Sequence, residues 1–456
     1  MSAPGALLKA GTVNRRILSA AIAVAAAGAT VKLVSTVKEF TVAGVYGRSD
    51  TMDAFLAAAL IPGLLINLIS ESMNQALVPT LVRVREHEGR DRAQRLVSST
   101  MVWTCLLLVA SSLCMALFAR AFFPLIGSNF SREKLDLAIR LFYGLLPVVV
   151  LTGMATSCTA VLNTTGQFAV PALVPVVTPV AIIATALWLR NWLGIWALVY
   201  ATLAGSIVHA VCMALMMNAH GYPFRLRWHG MNEATREMAQ QFGPVFLSSV
   251  VASGGLLVDQ SMAAMLPSGS VSTLVYAGRF VSVVLSIAGG AVSSAIVPFF
   301  SQLVAEKDWE GCRSTMRTWA WFTALISAPM AFGLVCGARI LVKLTFQHGA
   351  FGSADTEVVA PVLALYALQI PFFVCSRVFY RFLVAMRRTD LIFYCGLLNL
   401  GLDIVLDLVL MRFLGVAGIA LATSLWTLST LIFLWYWSRR VLSVAPVCET
   451  EIGAMR

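Results

Sequence analysis

The sequence predicts an all-α polytopic membrane protein with about twelve transmembrane helices, in two six-helix lobes with pseudo-twofold symmetry around a central cavity. Of its 456 residues, 59% are hydrophobic and 12% are charged, which is about half the charged fraction of an average soluble domain. Long uncharged apolar runs recur along the chain, and each span needs ~20 apolar residues. Short motifs of the first half also recur in the second, which indicates two similar lobes.

Loop segments rich in charged residues, glycine or proline divide the chain into twelve predicted spans. The first span begins like a signal peptide, with Arg15 and Arg16 before an alanine-rich run. We expect it to remain uncleaved, because its apolar stretch continues to Val45 and eleven spans follow. The predicted spans are residues 17–45, 54–82, 97–119, 138–162, 170–189, 193–217, 240–265, 272–303, 318–343, 357–385, 389–411 and 416–438.

Lysines and arginines are distributed unevenly over the predicted loops. With the N-terminus in the cytoplasm, 20 of them fall on the cytoplasmic side and 9 on the other, in agreement with the positive-inside rule. We therefore expect a multi-pass membrane protein with both termini in the cytoplasm. The net charge of +11 then reflects topology, so we expect no nucleic-acid partner.

The sequence carries no signal of catalysis or of a resident metal. Its nine cysteines form no Cys-x-x-Cys pair, and its five histidines have no metal-ligand spacing. It contains no nucleophile motif and no glycine-rich phosphate loop. We therefore expect neither an enzyme nor a bound metal or cofactor, apart from a coupling ion.

Two motifs recur at an offset of almost half the chain. Residues 76–79, Ala-Leu-Val-Pro, return as Ala-Ile-Val-Pro at 295–298, and the segment 193–202 resembles 414–423. Six spans per half give the two copies the same orientation in the membrane. The predicted domains are an N-terminal lobe (1–219), a cytoplasmic linker (220–237), a C-terminal lobe (238–440) and a cytoplasmic tail (441–456).

Ionisable and polar residues inside spans usually face a wet interior, because facing lipid costs several kcal/mol. The predicted substrate-binding residues are Lys32, Lys38 and Glu39 in the first span, Asn67, Glu71 and Asn74 in the second, and Arg279 in the eighth. Lys38 and Arg279 lie at similar depths and could hold a multiply charged anion such as a pyrophosphate. Alternatively, Lys38 forms a salt bridge with a neighbouring carboxylate.

A second polar group consists of Asp259 in the seventh span and of Asn399, Asp403 and Asp407 in the eleventh. The last three follow i, i+4, i+8 and therefore share a helix face. Buried carboxylates can bind Na⁺ or protons in coupled transporters. The alternatives are that these carboxylates neutralise cations of their lobe, or that the membrane potential drives transport.

Several motifs resemble the MviN/MurJ lipid II flippase family of the multidrug/oligosaccharidyl-lipid/polysaccharide exporter superfamily. They are Lys38-Glu39, Val45-Tyr46-Gly47, Asp53-Ala54-Phe55, Ile61-Pro62, Leu64-Leu65, Glu71, Gln75 to Pro79, Gly269 to Ser272, Tyr276 to Arg279 and Ile296 to Pro298. The resemblance implies that Lys38 and Arg279 accept a pyrophosphate, that Lys32 is a further cationic position, and that Asp53 and Glu71 are acidic positions near the cavity. Two departures are Ile66-Asn67, where the family commonly has an arginine pair, and an end soon after the twelfth span, where the family typically adds two helices.

We therefore expect a flippase that carries a polyprenyl-pyrophosphate-linked saccharide, lipid II or an exopolysaccharide precursor, across the inner membrane by alternating access. Its expected partners are that glycolipid, membrane lipids and glycan-synthesis enzymes, and we expect a monomer. The main alternative is a cation-coupled multidrug exporter of the MATE type, in which carboxylates would dominate binding. A membrane scaffold or receptor is a third alternative, although the longest predicted loops are only about twenty residues.

Overall fold

The chain is helical because a bilayer offers its backbone no hydrogen-bonding partner. Inside lipid, each N–H and C=O must be paired within its own segment, and an α-helix does this. The computed structural model describes the backbone of residues 4–231 and 233–454 and the side chains of residues 23–443, except for 25, 71, 232, 252 and 294. Within these residues every regular element is helical, so the predicted all-α class is confirmed.

Fifteen α-helices follow one another along the described chain, with a short 3₁₀ turn at Val174–Val176. Their bounds are α1 Pro4–Tyr46, α2 Asp50–His87, α3 Arg90–Ile126, α4 Arg132–Thr164, α5 Ala169–Leu173, α6 Val177–Trp188, α7 Arg190–Leu193, α8 Trp196–Ala219, α9 Glu233–Ala264, α10 Ser270–Ala305, α11 Trp309–Phe346, α12 Ser353–Ala367, α13 Gln369–Ala385, α14 Thr389–Leu414 and α15 Val416–Ala454.

Eleven helical segments of the described residues are long and apolar enough to cross a membrane. They correspond to the second to twelfth predicted spans, and the first predicted span lies within α1. The helices extend beyond the apolar spans, and α9 begins at Glu233, inside the predicted linker. The reason is that its first turns carry charged residues such as Arg236, which hydropathy does not mark as part of a span.

Two spans are interrupted where the helical hydrogen-bond ladder cannot continue. The span Ala169–Trp188 contains α5, the 3₁₀ turn and α6, and it carries Pro171, Pro175 and Pro179. Proline lacks the N–H that an α-helix needs. The span Ser353–Ala385 is divided at Leu368, which lies between α12 and α13 and whose N–H bonds the Leu365 carbonyl three residues back. Pro371 follows in the first turn of α13.

The chain divides into two compact units. The first comprises Met1–Val45, Ala54–Pro124 and Ser131–Val250, and the second comprises Tyr46–Asp53, Leu125–Phe130 and Val251–Arg456. In the first unit α8 packs against α4 and α6. In the second, α13 packs against α10, α11 and α15, and α14 packs against α15. The predicted domain boundaries stay predictions.

The repeated sequence motifs have the same local structure in both units. Gly194 ends α7 with φ 54° and ψ −133°, and Gly415 ends α14 with φ 58° and ψ −133°. The two glycines occupy the same position of the repeated segments 193–202 and 414–423. This backbone conformation is open to glycine and strained for other residues, so the two motifs specify the same tight turn.

Candidate functional site

Lys38 and Glu39 form an ion pair on α1. The Lys38 Nζ atom lies 2.8 Å from a Glu39 Oε1 atom, and the side chains are 21% and 6% exposed. The alternative of a salt bridge with a neighbouring carboxylate is therefore realised, while the ammonium group stays partly accessible. Lys32, six residues earlier, is exposed on the same helix.

The polar stripe predicted on α2 combines exposed and buried groups. Asn67 is exposed, Ser70 is buried and Asn74 is half-buried. The Ser70 hydroxyl oxygen and the Asn74 Oδ1 atom lack a hydrogen-bond partner among the described residues. The side chain of Glu71 lies outside the described residues. Substrate binding by this stripe stays a prediction.

Arg279 lies on α10 in the second unit, and its side chain is exposed. It is three residues after Tyr276, which is buried and donates a hydrogen bond to the Gly47 carbonyl at 3.1 Å. The packing of Tyr276 therefore sets the rotation of α10 about its axis, and with it the direction in which Arg279 leaves the helix. Convergence of Lys38 and Arg279 on one cavity stays a prediction.

Asp53 is buried and caps the N-terminus of α10. Its Oδ2 atom accepts from the Gly269 N–H at 2.7 Å, and its Oδ1 atom accepts from the Ser272 N–H at 2.9 Å. The first N–H groups of a helix have no partner within the helix, and Gly269 has no side chain to supply one. Both carboxylate oxygens are thus engaged with backbone amides, and a substrate-binding role of Asp53 stays a prediction.

Arg48 reinforces the same corner of the second unit. Its guanidinium donates to the Thr273 hydroxyl at 2.6 Å and lies 3.2 Å from Asp355. The sequence did not indicate this role, because the loop lysines and arginines were used only to assign topology. The signal that could have found it is a charged loop residue next to Gly47, which marks a tight turn.

Three buried carboxylates of the second unit form one cluster. One oxygen each from Asp259, Asp403 and Asp407 lies within 4.8 Å of the others. Asp259 is on α9, and Asp403 and Asp407 are one turn apart on α14. Their exposed fractions are 8%, 1% and 0%, respectively. The structure therefore brings together three of the four residues predicted from sequence for ion coupling.

The cluster has few hydrogen-bond donors. The Thr423 hydroxyl on α15 donates to the Asp259 Oδ2 atom at 3.4 Å, and sequence reasoning did not select this threonine. The second carboxylate oxygen of Asp259, Oδ1, has no hydrogen-bond partner among the described residues. The same is true of both carboxylate oxygens of Asp403 and of Asp407. Asn399, one turn before Asp403, also has a buried Oδ1 atom without a partner.

These unpartnered oxygens fit a cation. Buried carboxylates require a counter-charge or a proton, and no described lysine or arginine forms an ion pair with the three aspartates. Hard cations prefer oxygen ligands, and the cluster provides three carboxylates with the Thr423 hydroxyl beside them. Gly255 on α9 leaves space beside the Asp403 carboxylate, because a Cβ atom at this position would lie 3.0 Å from the Asp403 Oδ2 atom.

A family model described as the lipid II flippase MurJ matches residues 42–452. A relative from Synechocystis sp. named probable lipid II flippase MurJ is 25% identical over 450 residues, covering 95% of this chain and 84% of the relative. One from Vibrio cholerae with the same name is 24% identical over 426 residues, covering 91% and 81%.

Two solved structures share the fold. A lipid II flippase MurJ in an inward closed conformation matches with a TM-score of 0.78 at 24% identity, covering 92% of this chain and 87% of that one. An inward-facing MATE family transporter matches with a TM-score of 0.76 at 14% identity, covering 91% and 95%. The family model extends over nearly all the predicted spans. The chain therefore belongs to the family of the lipid II flippase MurJ.

Proposed function

We propose that this chain moves a polyprenyl-pyrophosphate-linked saccharide, either lipid II or a precursor of an exported polysaccharide, between the leaflets of a bacterial inner membrane. The observation that carries the proposal is the family match over residues 42–452, since its relatives are named lipid II flippases. The cargo keeps its covalent structure, and the protein supplies a polar path for its headgroup.

The headgroup carries two phosphates, and we propose that Lys38 and Arg279 bind them. Glu39 holds the Lys38 ammonium 2.8 Å away while leaving it partly accessible, so an incoming pyrophosphate competes with one carboxylate. Arginine binds phosphate oxygens in a bidentate manner, and lysine acts as a point charge. Lys32 offers a further cation on α1.

Vesicles that contain the purified chain and fluorescent lipid II test this proposal. The headgroup exposed on the outer leaflet is measured over time by an impermeant reagent. We expect the wild-type chain to translocate the lipid and the double variant Lys38→Ala, Arg279→Ala to lose translocation. The control variant is Lys343→Ala, Arg412→Ala, because both residues are exposed near helix ends. Full activity of the double variant Lys38→Ala, Arg279→Ala would refute the role of the two cations.

The cargo is resolved by repeating the assay with other polyprenyl-pyrophosphate saccharides. Preference for lipid II would assign the chain to peptidoglycan synthesis, and preference for another glycan to polysaccharide export. If no lipid-linked saccharide crosses the vesicle membrane, the flippase proposal fails. We also propose that the chain works as a monomer and contacts glycan-synthesis enzymes. Cross-linking in cells tests both points independently of the transport assay.

We also propose that the cluster of Asp259, Asp403 and Asp407, together with Asn399, binds the coupling ion, which is Na⁺ or a proton. The unpartnered carboxylate oxygens support this role. Unfolding temperatures measured in sodium and in choline chloride distinguish the two ions, because only a bound Na⁺ stabilises the folded state by mass action. We expect Asp403→Asn to remove the sodium effect and Asp308→Asn, an exposed helix cap, to preserve it.

Both termini are proposed to lie in the cytoplasm, as the distribution of lysine and arginine supports. Fusion of alkaline phosphatase to the C-terminus tests this, because that enzyme is active only outside the cytoplasm. An active fusion would reverse the proposed orientation.

A further inference from the structure

A large cleft lies in the second unit between α11 and α15. Its volume is about 1370 Å³, and its walls come from residues of α11 and α15. Its floor comes from α13, which packs against both helices and contributes Phe379. The cleft is separate from the acidic cluster, which involves α9, α14 and Thr423.

One end of the cleft is basic. It is lined by Arg313 and Arg317 near the start of α11 and by Arg439 of α15, against the single carboxylate of Glu310. No ion pair of these three arginines is found among the described side chains. The Arg439 guanidinium lies 4.4 Å from the ring centre of Trp435, which also lines the cleft. This end of the cleft therefore carries an excess of positive charge.

The remainder of the cleft is apolar and open to the side. Trp321 and Trp435 line it and are 71% and 40% exposed. From Arg313 to Ala324 the α11 wall rises ~16 Å, at 1.5 Å per residue. The basic end lies where α11 enters and α15 leaves its apolar span, on the side that the positive-inside rule assigns to the cytoplasm. A charged end followed by a long apolar wall matches a phospholipid, whose charged headgroup is followed by its acyl chains.

We propose that the cleft binds an anionic phospholipid of that leaflet, with the phosphate against the arginines and one acyl chain along Trp321 and Ala324. Arginine forks bind phosphate oxygens in pairs, and three arginines against one glutamate favour a lipid with net negative charge over a zwitterionic one. Trp435 orients Arg439 towards the headgroup. Neither Lys38 nor Arg279, the residues proposed to bind the cargo, lines this cleft.

Native mass spectrometry of the delipidated chain tests the proposal. Titration with phosphatidylglycerol and with phosphatidylethanolamine should show that the anionic lipid binds about tenfold more tightly. The triple variant Arg313→Gln, Arg317→Gln, Arg439→Gln should lose this preference. Ala324→Trp fills the apolar part and should weaken both lipids, so it tests the cleft without changing a charge.

Two matched variants serve as controls. The first is Arg440→Gln, which removes the charge next to Arg439 on α15; the Arg440 guanidinium lies over Trp437 and not over Trp435. The second is Ala110→Trp, which enlarges an exposed alanine of α3. Both should bind phosphatidylglycerol like the wild type, and thermal unfolding confirms that every variant is folded.

Three results would overturn the proposal. The first is an unchanged preference for the anionic lipid in the triple variant. The second is equal competition by glycerophosphoglycerol, the headgroup without acyl chains, because the apolar wall would then contribute nothing. The third is displacement of phosphatidylglycerol by a tenfold lower concentration of undecaprenyl phosphate, which would assign the cleft to the carrier lipid.

Discussion

Replacing Asp53 with alanine is expected to destabilise the second unit strongly. The carboxylate accepts two backbone N–H groups of the α10 N-terminus, at 2.7 Å and 2.9 Å, and it is 1% exposed. A hydrogen bond to a charged group contributes about 1.5–3 kcal/mol. Losing both therefore costs about 3–6 kcal/mol, because the alanine side chain leaves two N–H groups without their acceptor.

Denaturant titration of the purified chain in detergent micelles measures this loss as a lower free energy of unfolding. Asp53→Asn should fall between the wild type and Asp53→Ala, since its amide oxygen accepts one N–H while its NH₂ group faces the other. Both variants remove the negative charge near the helix N-terminus, so the difference between them reports the hydrogen bond that asparagine retains.

A local helix cap provides the comparison. Asp308 caps α11 within its own turn, accepting from the Gly311 N–H at 2.8 Å, and it is exposed. Asp308→Ala should cost about 1 kcal/mol, as for ordinary N-caps. If Asp53→Ala cost no more than Asp308→Ala, the reasoning that assigns Asp53 to the long-range cap of α10 would be wrong.

Three further substitutions test single positions. Gly47→Ala should lower the unfolding free energy by about 1–3 kcal/mol, because Gly47 has φ +58° and its Cβ would lie 2.8 Å from the Ala350 carbonyl oxygen. Gly255→Ala should weaken the proposed ion binding at the acidic cluster about tenfold, because its Cβ would crowd Asp403; the shift of the unfolding temperature with sodium or with proton concentration measures this. Arg387→Gly should raise the unfolding free energy by about 1 kcal/mol, since Arg387 holds φ 56°.

Two glycines provide controls for these substitutions. A Cβ added at Gly63 of α2 or at Gly243 of α9 meets no atom within 4 Å. Alanine is favoured over glycine inside helices by about 1 kcal/mol, so both changes should be neutral or stabilising. Destabilisation at these positions as large as at Gly47 would show that helix packing, and not the left-handed turn, controls the response.

The spans could be predicted because they depend on composition alone. A segment that crosses lipid must be apolar for ~20 residues, and this requirement is visible without any tertiary information. The interruptions follow from proline for the fifth span. The division at Leu368 is marked in the same way, because Pro371 lies in the first turn of α13 and has no N–H to continue the helix across Leu368.

The acidic cluster was predictable only in part. The i, i+4 spacing places Asp403 and Asp407 on one face of a helix, but nothing in the sequence states that α9 brings Asp259 to that face. Thr423 was missed for the same reason, because threonine is common in membrane helices and its partner is 164 residues away. Likewise, Asp53 caps a helix whose first residues follow 216 positions later, and only the fold makes this pairing visible.

The buried acidic groups of this chain differ in how their charge is balanced. Glu39 lies 2.8 Å from the Lys38 ammonium, and Asp53 accepts two N–H groups at a helix N-terminus, which carries a partial positive charge. The three-aspartate cluster has neither kind of partner among the described residues. Three like charges within 4.8 Å repel one another strongly in a medium of low dielectric constant. Among the described residues, the charge of this cluster is therefore balanced neither by a basic side chain nor by a helix N-terminus. Uptake of protons or of a cation would neutralise it, and this supports its proposed role in binding the coupling ion.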